Sequence, residues 1–171
     1  MKLDVTRILG PDGLIAGRLP KYELRPQQLE MAEAVAGALR CGRHLAAEAG
    51  TGVGKSFAYL VPAILGVTEE SAKEDPESIR RVVVSTHTIS LQEQLLHKDL
   101  PLLNSVIPRE FSAVLVKGRR NYLSRRRLDL ALARASSMFS VEEDFDQLQQ
   151  IRTWAQQTTD GSLSDLDFKP S

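Results

Sequence analysis

The spacing of apolar residues changes several times along the chain, and each change predicts an element. From Pro26, the positions Leu29, Ala32, Val35, Ala36 and Leu39 recur every three or four residues, which predicts a helix with one buried face. Gly42 is placed to stop it. His44 to Ala47 read as the end of a buried strand, and Ser56 to Leu65 (SFAYLVPAIL) are apolar enough for a helix beginning at Lys55. Pro62 lies beyond the first turn of that helix, where it predicts a kink or the end of the regular part. Two compact runs rich in β-branched residues, RVVVS at 81–85 and SAVLV at 112–116, predict further strands. Between them a third helix opens either at a capping box of Ser90 with Glu93 or at Thr88, and should stop near Pro101. Strand and helix alternating in this order predict right-handed crossovers and an α/β domain, its parallel sheet flanked by helices on both faces.

The flanking segments have other patterns. GPDG at 10–13 is a turn, and the first twenty residues predict a small hairpin or arm. TEESAKEDPES at 68–78 is acidic, lacks an apolar period and predicts an exposed crossover loop. Ser140 with Glu143 forms a second capping-box pattern ahead of Phe145, Leu148, Ile151 and Trp154, whose spacing predicts an amphipathic helix. Trp154 continues that apolar stripe, which favours a packing anchor over a base-stacking platform. The closing GSLSDLDFKPS is polar and predicts a loop or frayed end.

The stretch EAGTGVGKS at 48–56 lies between the first expected strand and its helix. Gly50, Gly52 and Gly54 alternate so that successive backbone amides can turn towards an anion. Ala49, four further residues, then Gly54, Lys55 and Ser56 fit the phosphate-binding loop in the form that permits alanine at its first position. In such a loop the amides of Gly50, Thr51, Gly52, Val53 and Gly54 and those of the first helical turn, Lys55, Ser56 and Phe57, hold the nucleotide phosphates. Lys55 neutralises the β- and γ-phosphates and the Ser56 hydroxyl holds Mg²⁺. These assignments make Lys55 and Ser56 the candidate catalytic residues, Ser56 the candidate metal ligand and ATP the candidate cofactor. A mobile glycine turn before an ordinary helix is the competing reading.

Composition narrows the setting. With 42% hydrophobic and 26% charged residues the chain is ordinary globular material. Its net charge is zero, so any nucleic-acid contact must rest on local patches. One such patch exists: 117–127 (KGRRNYLSRRR) holds six cations and no acid, whereas 141–171 holds seven acids against two bases. Cys41 is the single cysteine, which leaves no internal disulfide and suits a reducing compartment. His44, His87 and His97 lack ligand spacing with one another or with Cys41. The amino terminus is interrupted by Asp4 and Arg7 and no run approaches transmembrane length. The expectation is a soluble cytoplasmic protein without membrane contact.

Four blocks together resemble the DinG/XPD-type helicases of superfamily 2. YELRPQQLEMAEAV at 22–35 resembles the segment before that family's nucleotide loop, and EAGTGVGKSFAYLVPAIL resembles its motif I with the following helix. VVVSTHTISLQEQLLHKDLP at 82–101 resembles motif Ia, and VKGRRNYL at 116–123 resembles the sequence ahead of the iron–sulfur insertion in members that have one. The resemblance implies a RecA-like P-loop domain beginning at residue 22 and running to about 124. An amino-terminal arm (1–21) would precede it, and the start of a helical insertion (125–171) would follow.

It further implies adenine contact by Arg25 and Gln28, and contact with DNA, single-stranded by expectation, through Ser85, Thr86, Thr88 and the neighbouring His87. Lys117, Arg119, Arg120 and Tyr122 join these as phosphate- and base-contacting candidates. Ser124 stands where iron–sulfur members carry their first cluster cysteine and no cysteine follows, so no iron–sulfur cluster is expected in this chain. The family's second acidic motif and second RecA-like domain do not follow motif I here, so the chain alone is not expected to hydrolyse ATP efficiently. The activity implied is an ATP-dependent DNA helicase. A P-loop ATPase without a nucleic-acid role and a non-catalytic nucleic-acid-binding fragment are the rival readings.

Overall fold

The computed structural model describes residues 3–69, 81–135 and 142–168. The chain divides into two compact units, residues 1–115 and 116–171. In the first unit the helices are α1 (Val5–Leu9), α2 (Leu14–Arg18), α3 (Pro26–Cys41), α4 (Lys55–Val67), α5 (Ile89–Gln94) and α6 (Leu100–Val106). A π-helical turn at Leu95–Asp99 joins the last two. In the second unit a 3₁₀ turn (Arg119–Asn121) precedes α7 (Arg125–Ala133) and α8 (Glu142–Gln157), and a second 3₁₀ turn covers Leu163–Asp165.

The expected parallel sheet is absent: among the described residues there is no strand, and pairing is limited to an isolated antiparallel bridge between Tyr122 and Ser162. The segments 44–47, 81–85 and 112–116 run as irregular chain. Val83 is 88% exposed and Val114 85% exposed. β-Branched runs favour a strand only where neighbouring strands and a half-buried face receive them. These runs have neither, so local propensity is left without the non-local pairing that a sheet requires.

Helices build the first core instead. Val5, Ile8, Leu9 and Ile15 from the amino-terminal segment pack with Ala32 of α3, with Ala58, Leu60, Val61 and Ile64 of α4, and with Leu95, Leu103 and Ile107. Residues 3–20 therefore contain two short helices that contribute to the core, and not a hairpin. Asp4 caps α1 by accepting from the Arg7 amide at 2.8 Å, and the GPDG turn closes with Gly13 N–H donating to Gly10 O at 3.0 Å.

The α3 expectation holds: it begins at Pro26, and Gly42 ends it in the left-handed region at φ 60°. Helix α4 starts at Lys55 as expected and runs five residues past Pro62, so proline does not end it. Nor does α6 stop at Pro101. The Leu100 amide reaches back to Leu95 O in the π turn, a widened register that leaves room for a proline ring one residue later. Of the two possible caps for α5, Thr88 is the one used, its hydroxyl accepting from Leu91 N at 3.3 Å.

The second unit has its own small core of Leu128, Ala135, Leu148 and Ala155, against which Ile151 and Trp154 pack, so Trp154 is an anchor as its spacing predicts. The Ser140 half of the second capping box, and the crossover segment from 70 to 78, lie outside the described residues. The closing segment is not frayed through its length, because Ser162 is buried to 1% exposure.

Candidate nucleotide site and basic segment

The glycine loop is held between the first turn of α3 and the start of α4. Gly52 and Gly54 both take positive φ, 84° and 85°, which side-chain-bearing residues rarely adopt. Gly54 is the N-cap of α4 and offers no side chain, so the first-turn amides of that helix receive no side-chain cap. A Cβ at Gly54 would collide with the Gln28 amide nitrogen.

Arg25 and Gln28 tie the loop to α3. The Arg25 guanidinium donates to Gly52 O at 2.6 Å and lies 3.8 Å from the exposed Glu23 carboxylate. Gln28 is buried, at 4% exposure, because its Nε2 donates to Gly54 O at 2.8 Å. Lys55 is exposed and folds back along the loop, its Nζ donating to Ala49 O at 2.9 Å and Gly50 O at 2.7 Å. Arg25, Gln28, Ala49, Gly50, Gly52, Gly54 and Lys55 are thus gathered into one hydrogen-bonded arrangement. Thr51 is exposed and Val53 half-buried. Phe57 packs against the core, so its backbone, not its ring, belongs to the loop side of α4.

Ser56 is half-buried one residue into α4, and its hydroxyl hydrogen-bonds the phenol of Tyr59, three residues on and on the same helical face. Burial pushes the Tyr59 phenol above its ordinary range, the Ser56 bond pulls the other way, and the charge of Asp99 adds to the rise. Asp99, buried in the π turn and accepting from the Gln94 amide at 3.3 Å, and Tyr59 both lie outside the sequence expectations. No spacing rule links residues on separate helices.

The motif Ia hydroxyls are partly committed. Thr88 caps α5, and the Thr86 hydroxyl donates to Thr88 O at 3.1 Å within the same turn. Ser85 and His87 are exposed.

In the second unit, Arg119 and Arg120 are exposed on the 3₁₀ turn, as are Arg125, Arg126 and Arg127 on α7, where Ser124 is the cap. Lys117 differs from them: it is 9% exposed, and its Nζ donates to Ser162 Oγ at 3.1 Å and Ser164 Oγ at 2.5 Å. The Tyr122 hydroxyl accepts from the Lys117 backbone amide at 2.8 Å. Ser162 and Ser164 escape a reading of the sequence because a short polar tail carries no signal of burial.

Among the described residues no group of three or more His, Cys, Asp or Glu could hold a metal ion. A nucleotide-bound Mg²⁺ makes few protein contacts and keeps waters and phosphate oxygens, so a single hydroxyl such as that of Ser56 fits its donor preference. No helix among the described residues is long and apolar enough to cross a membrane.

No family model matches the chain. It is 36% identical over 161 residues to ATP-dependent DNA helicase YoaA of Escherichia coli, which covers 94% of this chain and 23% of that protein. It is 40% identical over 157 residues to ATP-dependent helicase DinG of Mycobacterium tuberculosis, covering 83% and 22% respectively. A protein of Bacillus subtilis named 3'-5' exonuclease DinG is 30% identical over 162 residues, covering 93% and 16%. The chain therefore spans less than a quarter of the length of these relatives.

Proposed function

We propose that the chain, which is similar over most of its own length to relatives named as DinG and YoaA ATP-dependent helicases, supplies the nucleotide-gripping part of such an enzyme. The observation that carries this reading is the Lys55 ammonium folded over the carbonyls of Ala49 and Gly50 at the uncapped start of α4. The glycine stretch is then a phosphate-binding loop of Walker A type. Triphosphate oxygens replace those two carbonyls as acceptors for Lys55, while first-turn amides and the helix dipole add donors and positive potential. Ser56 Oγ would be the protein ligand to Mg²⁺, which when bound would supply positive charge beside the phosphates. Gln28 and Arg25 hold the loop in the shape that makes this exchange possible, and they adjoin the adenine side.

DNA is the second partner. Exposed Ser85 and His87 and the arginines at 119 and 120 contribute backbone contacts that read charge and not sequence. Binding and hydrolysis of ATP by the whole protein would be coupled to movement along one strand. The chain itself binds Mg·ATP and turns it over negligibly, since phosphoryl transfer also needs groups that position water and stabilise the transferred phosphate.

Calorimetry with a non-hydrolysable ATP analogue and Mg²⁺ tests the site. Lys55→Ala removes a charge-assisted hydrogen bond and should weaken binding by about 1.5–3 kcal/mol, roughly ten- to a hundredfold. Equal affinity in the two proteins would defeat the assignment.

A further inference from the structure

We propose that the turn at 158–165 is a clasp that withholds Lys117 from nucleic acid, so that the segment meets phosphate through Arg119 and Arg120. The inference rests on the DNA-contact reading above and refines which cations serve it. In the sequence, Lys117 heads a run of like charges and looks equivalent to the rest. In the structure it is the buried member, with two serine hydroxyls 2.9 Å apart accepting from its ammonium group.

The turn that holds it is itself fastened. Gly161, at φ 73°, donates its N–H to Thr158 Oγ1 at 3.0 Å, and Ser162 N–H donates to Asp160 Oδ1 at 2.8 Å. The Gly161 carbonyl accepts from Leu123 N–H at 2.9 Å beside the Tyr122–Ser162 bridge. The chain on both sides of Arg119 and Arg120, at Lys117 and at Tyr122 and Leu123, is thereby tied to one short turn.

An ammonium has three protons to donate and no acceptor. For Lys117 to reach a phosphate it must give up both serine oxygens and leave its enclosure. Arg119 and Arg120, two and three residues on, are already exposed and need no such rearrangement. The Tyr122 hydroxyl is held within the segment itself, accepting from the Lys117 backbone amide at 2.8 Å, and needs no atom of the 158–165 turn. The segment thus carries one cation in reserve, available only when the 158–165 turn lifts.

Two measurements on the whole chain decide this. Brief acylation with acetic anhydride, mapped by mass spectrometry, should modify the exposed Lys98 at least tenfold faster than Lys117; equal rates would overturn the clasp. Binding of oligothymidylate is then followed against salt, where each phosphate contact on a single strand contributes about 0.7 to the log–log slope. Arg120→Ala should flatten the slope by about that amount and Lys117→Met should leave it unchanged. An equal flattening by Lys117→Met would mean that Lys117 touches DNA directly and the proposal fails. Ser162→Ala with Ser164→Ala should make Lys117 reactive and steepen the slope by about 0.7; a reactive Lys117 with an unaltered slope also overturns it. Absence of any oligothymidylate binding by the wild-type chain defeats the DNA reading, and this proposal with it, even where Lys117 resists acylation.

Discussion

Lys55 and Lys117 look alike in the sequence, each a lysine beside glycine in a segment suited to phosphate, yet the two regions treat them in opposite ways. Lys55 lies exposed across its own loop, and both acceptors are backbone carbonyls five and six residues away. Lys117 is enclosed, and its acceptors are side-chain hydroxyls 45 and 47 residues away. A cation bonded to nearby carbonyls in water can exchange them for phosphate at small cost. One bonded to distant hydroxyls, the buried Ser162 and the exposed Ser164, ties two stretches of chain together, because removing it leaves the buried Ser162 hydroxyl to be satisfied otherwise.

That contrast has its largest expected consequence in stability. Lys117→Met keeps most of the aliphatic stem but removes the ammonium, and should cost about 1.5–3 kcal/mol in denaturant unfolding. Lys55→Met should stay within about 0.5 kcal/mol of wild type, as for exposed positions generally. Reversed magnitudes would break the comparison.

A smaller effect sharpens the account of the glycine loop. Gly54→Ala places a side chain at φ 85° and against Gln28, so both backbone strain and displacement of the Gln28 bond to Gly54 O follow. A non-glycine residue in that region costs about 1–3 kcal/mol. Loss of ATP-analogue affinity should accompany it, because the loop can no longer keep its shape. A Gly54→Ala variant with wild-type midpoint and wild-type affinity would show that the loop relaxes freely and that the α3 clamp is incidental.

What can be read in advance divides along the same line. Helix α3 with its Gly42 stop, the Lys55 start of α4 and the packing role of Trp154 are legible because period, cap and breaker are local signals. The sheet is misjudged for the complementary reason: RVVVS and SAVLV state a preference, and the partners that would realise it are not supplied among the described residues. The proline at 101 misleads because the π turn before it is set by packing, not by a sequence rule. In the candidate site, the gathering of Ala49 to Lys55 follows from a motif whose spacing is short. The fate of Lys117 depends on Ser162 and Ser164, and a run of charges cannot disclose which member is buried.

The smallest expected effect distinguishes the first unit's tyrosines. Tyr22 donates its hydroxyl to Leu9 O at 2.6 Å, and burial pushes its phenol up while Arg25 lowers it; Tyr59 is likewise pushed up by burial. A phenol whose folded value exceeds its unfolded value of about 10 favours the folded state while protonated. Its contribution is complete below the unfolded value and is lost as pH rises through the folded one. Denaturant midpoints should therefore be insensitive to these groups up to roughly pH 9 and then fall as alkali deprotonates them. Replacing both, Tyr22→Phe with Tyr59→Phe, should lower stability modestly at neutral pH, since the Leu9 bond is lost, and should flatten the alkaline decline. Parallel declines in the two proteins would place the alkali-sensitive groups elsewhere and remove these phenols from the account of how the first core is held.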